Sequence, residues 1–188
     1  MKLTGLILLF MLSSVFPLAG QTIEVDGGMG YAAVNLESWS GISETGSTFR
    51  LYDWSNFTGY ASLQVLFPVS KSIQAGVSAG YQHLFWYEWK YFYDTYNGYF
   101  YYQEADVNAS RFLGIVRLNA AKLQFDLGLG TFVFDDFADF TTLAALIYPI
   151  KLTDQLSIPV KVATNIIFDS DATIVPLTLG AGLSYRVK

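Results

Sequence analysis

The stretch Val175-Pro-Leu-Thr-Leu-Gly-Ala-Gly-Leu-Ser-Tyr-Arg-Val187 alternates from end to end. Val175, Leu177, Leu179, Ala181, Leu183, Tyr185 and Val187 fall on one side, and Pro176, Thr178, Gly180, Gly182, Ser184 and Arg186 on the other. A period of two belongs to an extended strand, whose side chains point alternately to opposite faces. The pattern recurs upstream. Ile73, Ala75, Val77, Ala79 and Tyr81 alternate with Gln74, Gly76, Ser78 and Gly80. Leu123, Phe125, Leu127 and Leu129 alternate with Gln124, Asp126, Gly128 and Gly130, and a third such run covers Leu156 to Ile166.

Taken along the chain, these patterns predict eight strands, at about 22–36, 57–69, 72–87, 106–118, 122–134, 141–150, 155–168 and 174–187. Long links follow strands one and three, and shorter ones follow strands five and seven. Tight turns at Ser70-Lys71-Ser72, Asn119-Ala120 and Lys151–Asp154 follow strands two, four and six.

Composition restricts where such a sheet can live. Of 188 residues 52% are hydrophobic and 14% charged, against about 25% charged in an ordinary soluble domain. Yet beyond residue 20 no apolar run approaches the roughly 18 residues of a membrane-spanning helix; the longest, Leu143 to Ile150, contains Pro149. The chain is too apolar for water and too interrupted for helical insertion.

Alternation shows two faces without saying which is inside. A soluble carrier of the lipocalin kind turns its apolar face inward, whereas a transmembrane barrel turns it to lipid around a polar interior. Three features favour the second. The polar face is rich in Gly, Ser, Thr and Gln, small enough for a narrow lumen. The apolar face of strands two, three, five, seven and eight carries no charge from Ala61 to Val187; a Lys or Arg there would cost about 2–4 kcal/mol at mid-membrane. Tight turns at one end and longer links at the other match barrels whose turns face the periplasm, which places both termini on that side. The predicted fold is an all-β, eight-stranded antiparallel up-and-down transmembrane β-barrel.

Residues 1–20 read as a secretory signal peptide: Lys2, an apolar Leu6–Leu12 core, and the small residues of Pro17-Leu-Ala-Gly20, with cleavage before Gln21. Residues 21–188 then form the barrel domain, exported to the outer membrane of a bacterium with two membranes. Loss of Lys2 makes the formal charge of −5 one unit more negative. An acidic chain without basic clusters excludes nucleic acid as a partner. With no cysteine, disulfides, thiolate metal sites and a lipoprotein anchor are excluded as well.

In pattern, strand count and alternation of loops, the mature chain resembles the small eight-stranded outer-membrane barrels of the OmpA/OmpX type. The resemblance is architectural and rests on no family-specific motif. The terminal run Leu179–Lys188 is similar to the last strand recognised during barrel assembly, although it ends in Val187-Lys188 without a terminal phenylalanine.

Two groups of residues are candidates for function. The first is the run FWYEWKYFYDTYNGYFYY at 85–102. Asn97-Gly98 predicts a two-residue hairpin turn pairing Tyr96 with Tyr99. That register sets Leu84 opposite Arg111, Ser78 opposite Arg117 and Tyr81 opposite Gly114, all consistent with the assigned faces. One reading makes the aromatics a membrane-interface girdle continuing as stiffening cross-strand pairs. The other makes Trp89, Tyr91, Tyr93, Tyr96, Tyr99 and Tyr101 a contact surface for an extracellular protein or glycan.

The second group is the set of inward-facing charges Glu24, Asp26, Arg111, Arg117, Asp126, Lys161 and Arg186. They read as a salt-bridge network filling a solid barrel, with Arg117 and Asp126 diagonal to one another; the alternative is a narrow polar pore. His83, the only histidine, falls on the lipid-facing side with Phe112 opposite and Ser110 diagonal, a poor basis for a lipid-modifying enzyme. Asp135, Asp136 and Asp139 read as a solvated acidic loop rather than a calcium site. No cofactor or metal is expected. The expectation is a non-catalytic, monomeric structural or surface-contact barrel embedded in outer-membrane lipid. A small-solute pore, a lipid-modifying enzyme and a soluble carrier are the alternatives.

Overall fold

The computed structural model describes residues 20–36, 57–93, 98–134, 138–168 and 172–187. They form eight strands: β1 (Thr22–Leu36), β2 (Phe57–Pro68), β3 (Ile73–Tyr93), β4 (Gly98–Ala120), β5 (Leu123–Val133), β6 (Ala138–Lys151), β7 (Leu156–Phe168) and β8 (Ala172–Arg186). Each strand pairs antiparallel with its sequence neighbours, and β8 returns to β1, closing a barrel. The leader expected at residues 1–20 lies, apart from Gly20, outside the described residues.

The two faces separate by chemistry, and the polar one is inside. Glu24, Asp126, Gln82, Thr58 and Thr141 are each 0% exposed, while Leu129, Leu179 and Met29 are at least 60% exposed. Val25, Val77, Leu127, Leu177 and Leu183 continue the exposed apolar band. A water-soluble barrel would show the opposite distribution. Closing the sheet leaves the barrel wall without an edge strand, so backbone groups at membrane depth are satisfied within it.

Closure also fixes the stagger. Following paired residues from Glu24 through Gln64, Ser78, Leu113, Gly130, Thr141, Ile167 and Ile174 returns the path to β1 at Val34, ten residues along. With strands about 4.8 Å apart and a rise of about 3.3 Å per residue, that stagger tilts the strands by about 40°.

This corrects the register expected for the aromatic hairpin. Tyr93 pairs with Gly98 rather than Tyr96 with Tyr99, so residues 94–97 form the link. Leu84 faces Val107, Ser78 faces Leu113, and Tyr81 faces Ser110. The shift is four residues, an even number, so every side chain keeps its face and alternation alone cannot detect it. Ring closure can. With all other pairings kept, the expected register would return the path to Gly30, a stagger of six and a tilt of about 27°, below the usual 35–45°.

The middle tight turn also differs slightly. β4 runs through Ala120, which pairs with Leu123, leaving Ala121-Lys122 as the turn. Ala121 adopts a φ of 51°, a left-handed conformation costing a residue with a Cβ about 1 kcal/mol. Ala121→Gly is therefore expected to raise stability by about 0.5–1 kcal/mol, read as a higher urea midpoint in detergent micelles with an unchanged slope.

Candidate functional site

The lumen has three zones. Toward the end where β1 leads to the long link toward β2, the interior holds apolar side chains beside the buried polar groups of Thr58, Gln82, Thr141 and Asn165. Ala32, Leu84, Ala109, Phe132, Phe134, Ile167 and Ile174 form one buried cluster, with Phe132 and Phe134 stacked 6.3 Å apart. A second apolar group, including Leu66, Leu113, Ile115 and Leu143, lies within the barrel. The charges gather toward the tight-turn end.

Arg117 links two carboxylates there. Its Nε donates to Asp126 Oδ1 at 2.7 Å and its Nη2 to Asp126 Oδ2 at 2.8 Å, directly across the β4–β5 ladder rather than diagonally. Its Nη1 and Nη2 also donate to Glu24 Oε2 and Oε1, at 2.8 and 3.1 Å. The planar guanidinium suits this double fork, which an ammonium group could not reproduce. Lys161 reaches across from β7, 2.9 Å from Glu24 and 2.8 Å from Asp26. Asp26 further accepts hydrogen bonds from Tyr60 and Ser62, and Asp126 from Gln64 Nε2 at 3.1 Å. Arg111 is buried with its guanidinium 5.5 Å from the Tyr60 ring centre, and its Nε has no hydrogen-bond partner among the described residues. Three cations and three carboxylates thus meet in this part of the lumen, and their formal charges cancel.

Arg186 stands apart. It is exposed near the end of β8, bordering a recess of about 300 Å³ at the tight-turn mouth, whose walls also include Glu24, Gln74 and Arg117.

Reading charges alone misses Tyr60, Ser62 and Gln64, which all lie on the polar face of β2. The Tyr60 ring occupies space left by two glycines. A Cβ at Gly28 would stand 2.8 Å from Tyr60 Cε1, and one at Gly180 only 2.4 Å from its hydroxyl oxygen. Small residues on the polar faces of β1 and β8, facing a large one on β2, were the available signal.

Backbone pairing carries β3 and β4 well past the barrel. β2 pairs with β3 as far as Leu84, and β5 meets β4 from Ser110 onward. Beyond these points Phe85–Tyr93 and Gly98–Asp106 pair with each other, alone among the described residues, in a two-stranded ribbon. Nine residues at about 3.3 Å each make it roughly 30 Å long. Trp89, Tyr91, Tyr93, Tyr99 and Tyr101 lie on this ribbon; their side chains, and Tyr96 altogether, fall outside the described residues.

His83 lies opposite Asn108, not Phe112, with its Nδ1 3.0 Å from Asn108 Oδ1. No group of three His, Cys, Asp or Glu among the described residues is arranged to hold a metal. Asp135 and Asp136 lie outside them.

No family model and no curated protein matches this sequence. Among solved structures, the chain is similar to the outer membrane protein OprG from Pseudomonas aeruginosa, with a TM-score of 0.50 and 12% identity over 89% of this chain and 96% of that one. It is also similar to Ail, the attachment invasion locus protein of Yersinia pestis (TM-score 0.49, 10% identity, 89% and 99% covered). Neisserial surface protein A gives a TM-score of 0.48 at 10% identity, covering 89% and 97%. The fold is that of the small outer-membrane β-barrels.

Removing Arg117 would leave Glu24 and Asp126 buried without their shared cation. Arg117→Met is expected to cost about 3–5 kcal/mol, seen as a large drop in urea midpoint. Arg117→Met combined with Glu24→Gln and Asp126→Asn should recover much of that loss.

Proposed function

We propose that this chain is a bacterial outer-membrane barrel without catalytic activity, which presents the β3–β4 ribbon as a contact surface outside the cell. In this reading residues 1–20 direct export and are removed, the tight turns and both termini face the periplasm, and the protein works as a monomer in outer-membrane lipid. The observation that carries it is the ribbon, extending roughly 30 Å beyond the wall at the standard strand rise. Its sequence is rich in Trp and Tyr, residues that dominate recognition surfaces. Trp89, Tyr91, Tyr93, Tyr96, Tyr99 and Tyr101 are the proposed contact residues for a protein or glycan.

The lumen supports a scaffold over a channel. An apolar cluster fills one end, and a self-neutralising set of charges occupies the other. Purified protein in planar bilayers is expected to show no steady conductance; defined openings would favour the pore.

The contact role is tested with intact cells. Protease added outside should cut within 85–105 while leaving a core that still migrates heat-modifiably on gels. Replacing the six aromatics with serine should abolish attachment to protein- and glycan-coated surfaces without altering that migration. Attachment equal to wild type would remove the ribbon from the function. Separately, Lys122→Cys should resist membrane-impermeant thiol reagents on intact cells; labelling from outside would invert the orientation.

A further inference from the structure

The charges are sorted along the barrel axis. Of sixteen acids, Glu24, Asp26 and Asp126 lie in the lumen and Asp154 at the tight-turn end. In sequence, the other twelve fall within or close to the links 37–56, 94–97, 135–137 and 169–171. Basic residues run the other way. Beyond the leader, Arg50 and Lys90 are the basic residues of those sequence regions, and Arg111, Arg117 and Lys161 are in the lumen. Of the rest, Lys71, Lys122, Lys151 and Arg186 are at the tight-turn end, and Lys188 follows Arg186 closely in sequence.

The described cations of that end are spaced regularly. Lys71 lies in the β2–β3 turn, Lys122 in the β4–β5 turn, Lys151 at the end of β6 before the β6–β7 turn, and Arg186 at the end of β8. One therefore falls at every second strand, a quarter of the way round the rim, and all four are exposed. Exposed apolar side chains accompany them: Val69 near Lys71, Leu123 beside Lys122, and Ile150 and Leu152 flanking Lys151. Half-exposed Tyr148 and Tyr185 stand in the same region of the wall. A lysine next to an apolar residue at the edge of an apolar wall suits the bilayer interface, where the stem lies against acyl chains and the ammonium reaches the phosphates.

We propose that this rim binds the phosphodiester headgroups of anionic phospholipids, through Lys71, Lys122, Lys151 and Arg186. A lipid headgroup fits better than a soluble anion because the cations are spread around the perimeter. Lys71, Lys151 and Arg186 do border the mouth recess, but Asp154 shares it. Its amides are engaged within the protein: Gln74 with Thr22 at 3.1 Å, and Gln124 with Asn119 at 2.9 Å.

Which leaflet is involved follows from the orientation proposed above, but the binding itself is measurable without it. Full-length mature protein in a zwitterionic micelle would be titrated with phosphatidylglycerol or phosphatidylcholine and bound lipids counted by native mass spectrometry. Each cation near an anionic headgroup surface contributes about fivefold to binding. A phosphatidylglycerol preference of at least about tenfold is therefore expected, weakening as salt screens it. The quadruple variant K71Q/K122Q/K151Q/R186Q should lose the preference while keeping heat-modifiable migration. Should it fail to fold, K71Q/K122Q should still lower the preference measurably. Lys90→Gln, on the ribbon away from the rim, should leave it unchanged. Equal binding of both lipids, or a preference that survives in the rim variants, overturns the proposal. So does saturable binding of inorganic phosphate that displaces phosphatidylglycerol, because it would assign the site to a soluble anion. Labelling of Lys122→Cys from outside would overturn only the orientation.

Discussion

The ring must close, and everything else in this structure follows from how it does. A sheet in hydrocarbon cannot leave an edge unpaired, because no water is present to satisfy its backbone. Eight strands close here with a stagger of ten residues. That stagger sets the tilt, and the tilt decides which inward-facing residues from distant strands meet. Arg117 of β4 reaches Glu24 of β1, and Glu24 in turn meets Lys161 of β7. Their proximity is a property of the closed ring and of no single hairpin.

A closed barrel of this width has little room for water around its inward charges, so they must neutralise one another. Arg117 is suited to the centre of the cluster because one planar group can serve Asp126 along one edge and Glu24 along another. The uncharged partners complete the work. Tyr60, Ser62 and Gln64 donate to carboxylate oxygens that would otherwise be buried with fewer hydrogen bonds than they can accept. Gly28 and Gly180 leave space for the Tyr60 ring. The polar core is therefore packed by shape as well as charge.

Much of this was legible in the sequence, for a physical reason. Lipid and lumen differ so sharply in chemistry that faces can be read residue by residue, as Leu179 against Gly180 or Phe125 against Asp126 shows. Strand number and the inward position of Glu24, Asp26, Arg111, Arg117, Asp126 and Lys161 follow from that contrast. Register is another matter. The β3–β4 pairing can slip by an even number without moving any side chain to the wrong face, and Asn97-Gly98 looked like the natural pivot. Only the whole ring resolves it. Arg186 shows a second limit: its parity points inward, but the lumen has opened into the mouth by that height, and the side chain is exposed.

The ribbon of β3 and β4 has a further property. In the wall each strand is flanked on both sides, but beyond Leu84 and Ser110 the two strands pair with each other alone among the described residues. Each then has an outer edge whose alternate N–H and C=O groups point away from the pair. Such an edge is a template on which another extended chain can be laid. Contact along it would be set by backbone geometry and almost indifferent to sequence. The wall and the ribbon are thus one continuous sheet under two regimes: every strand flanked on both sides in the closed ring and, among the described residues, each strand flanked on one side in the ribbon.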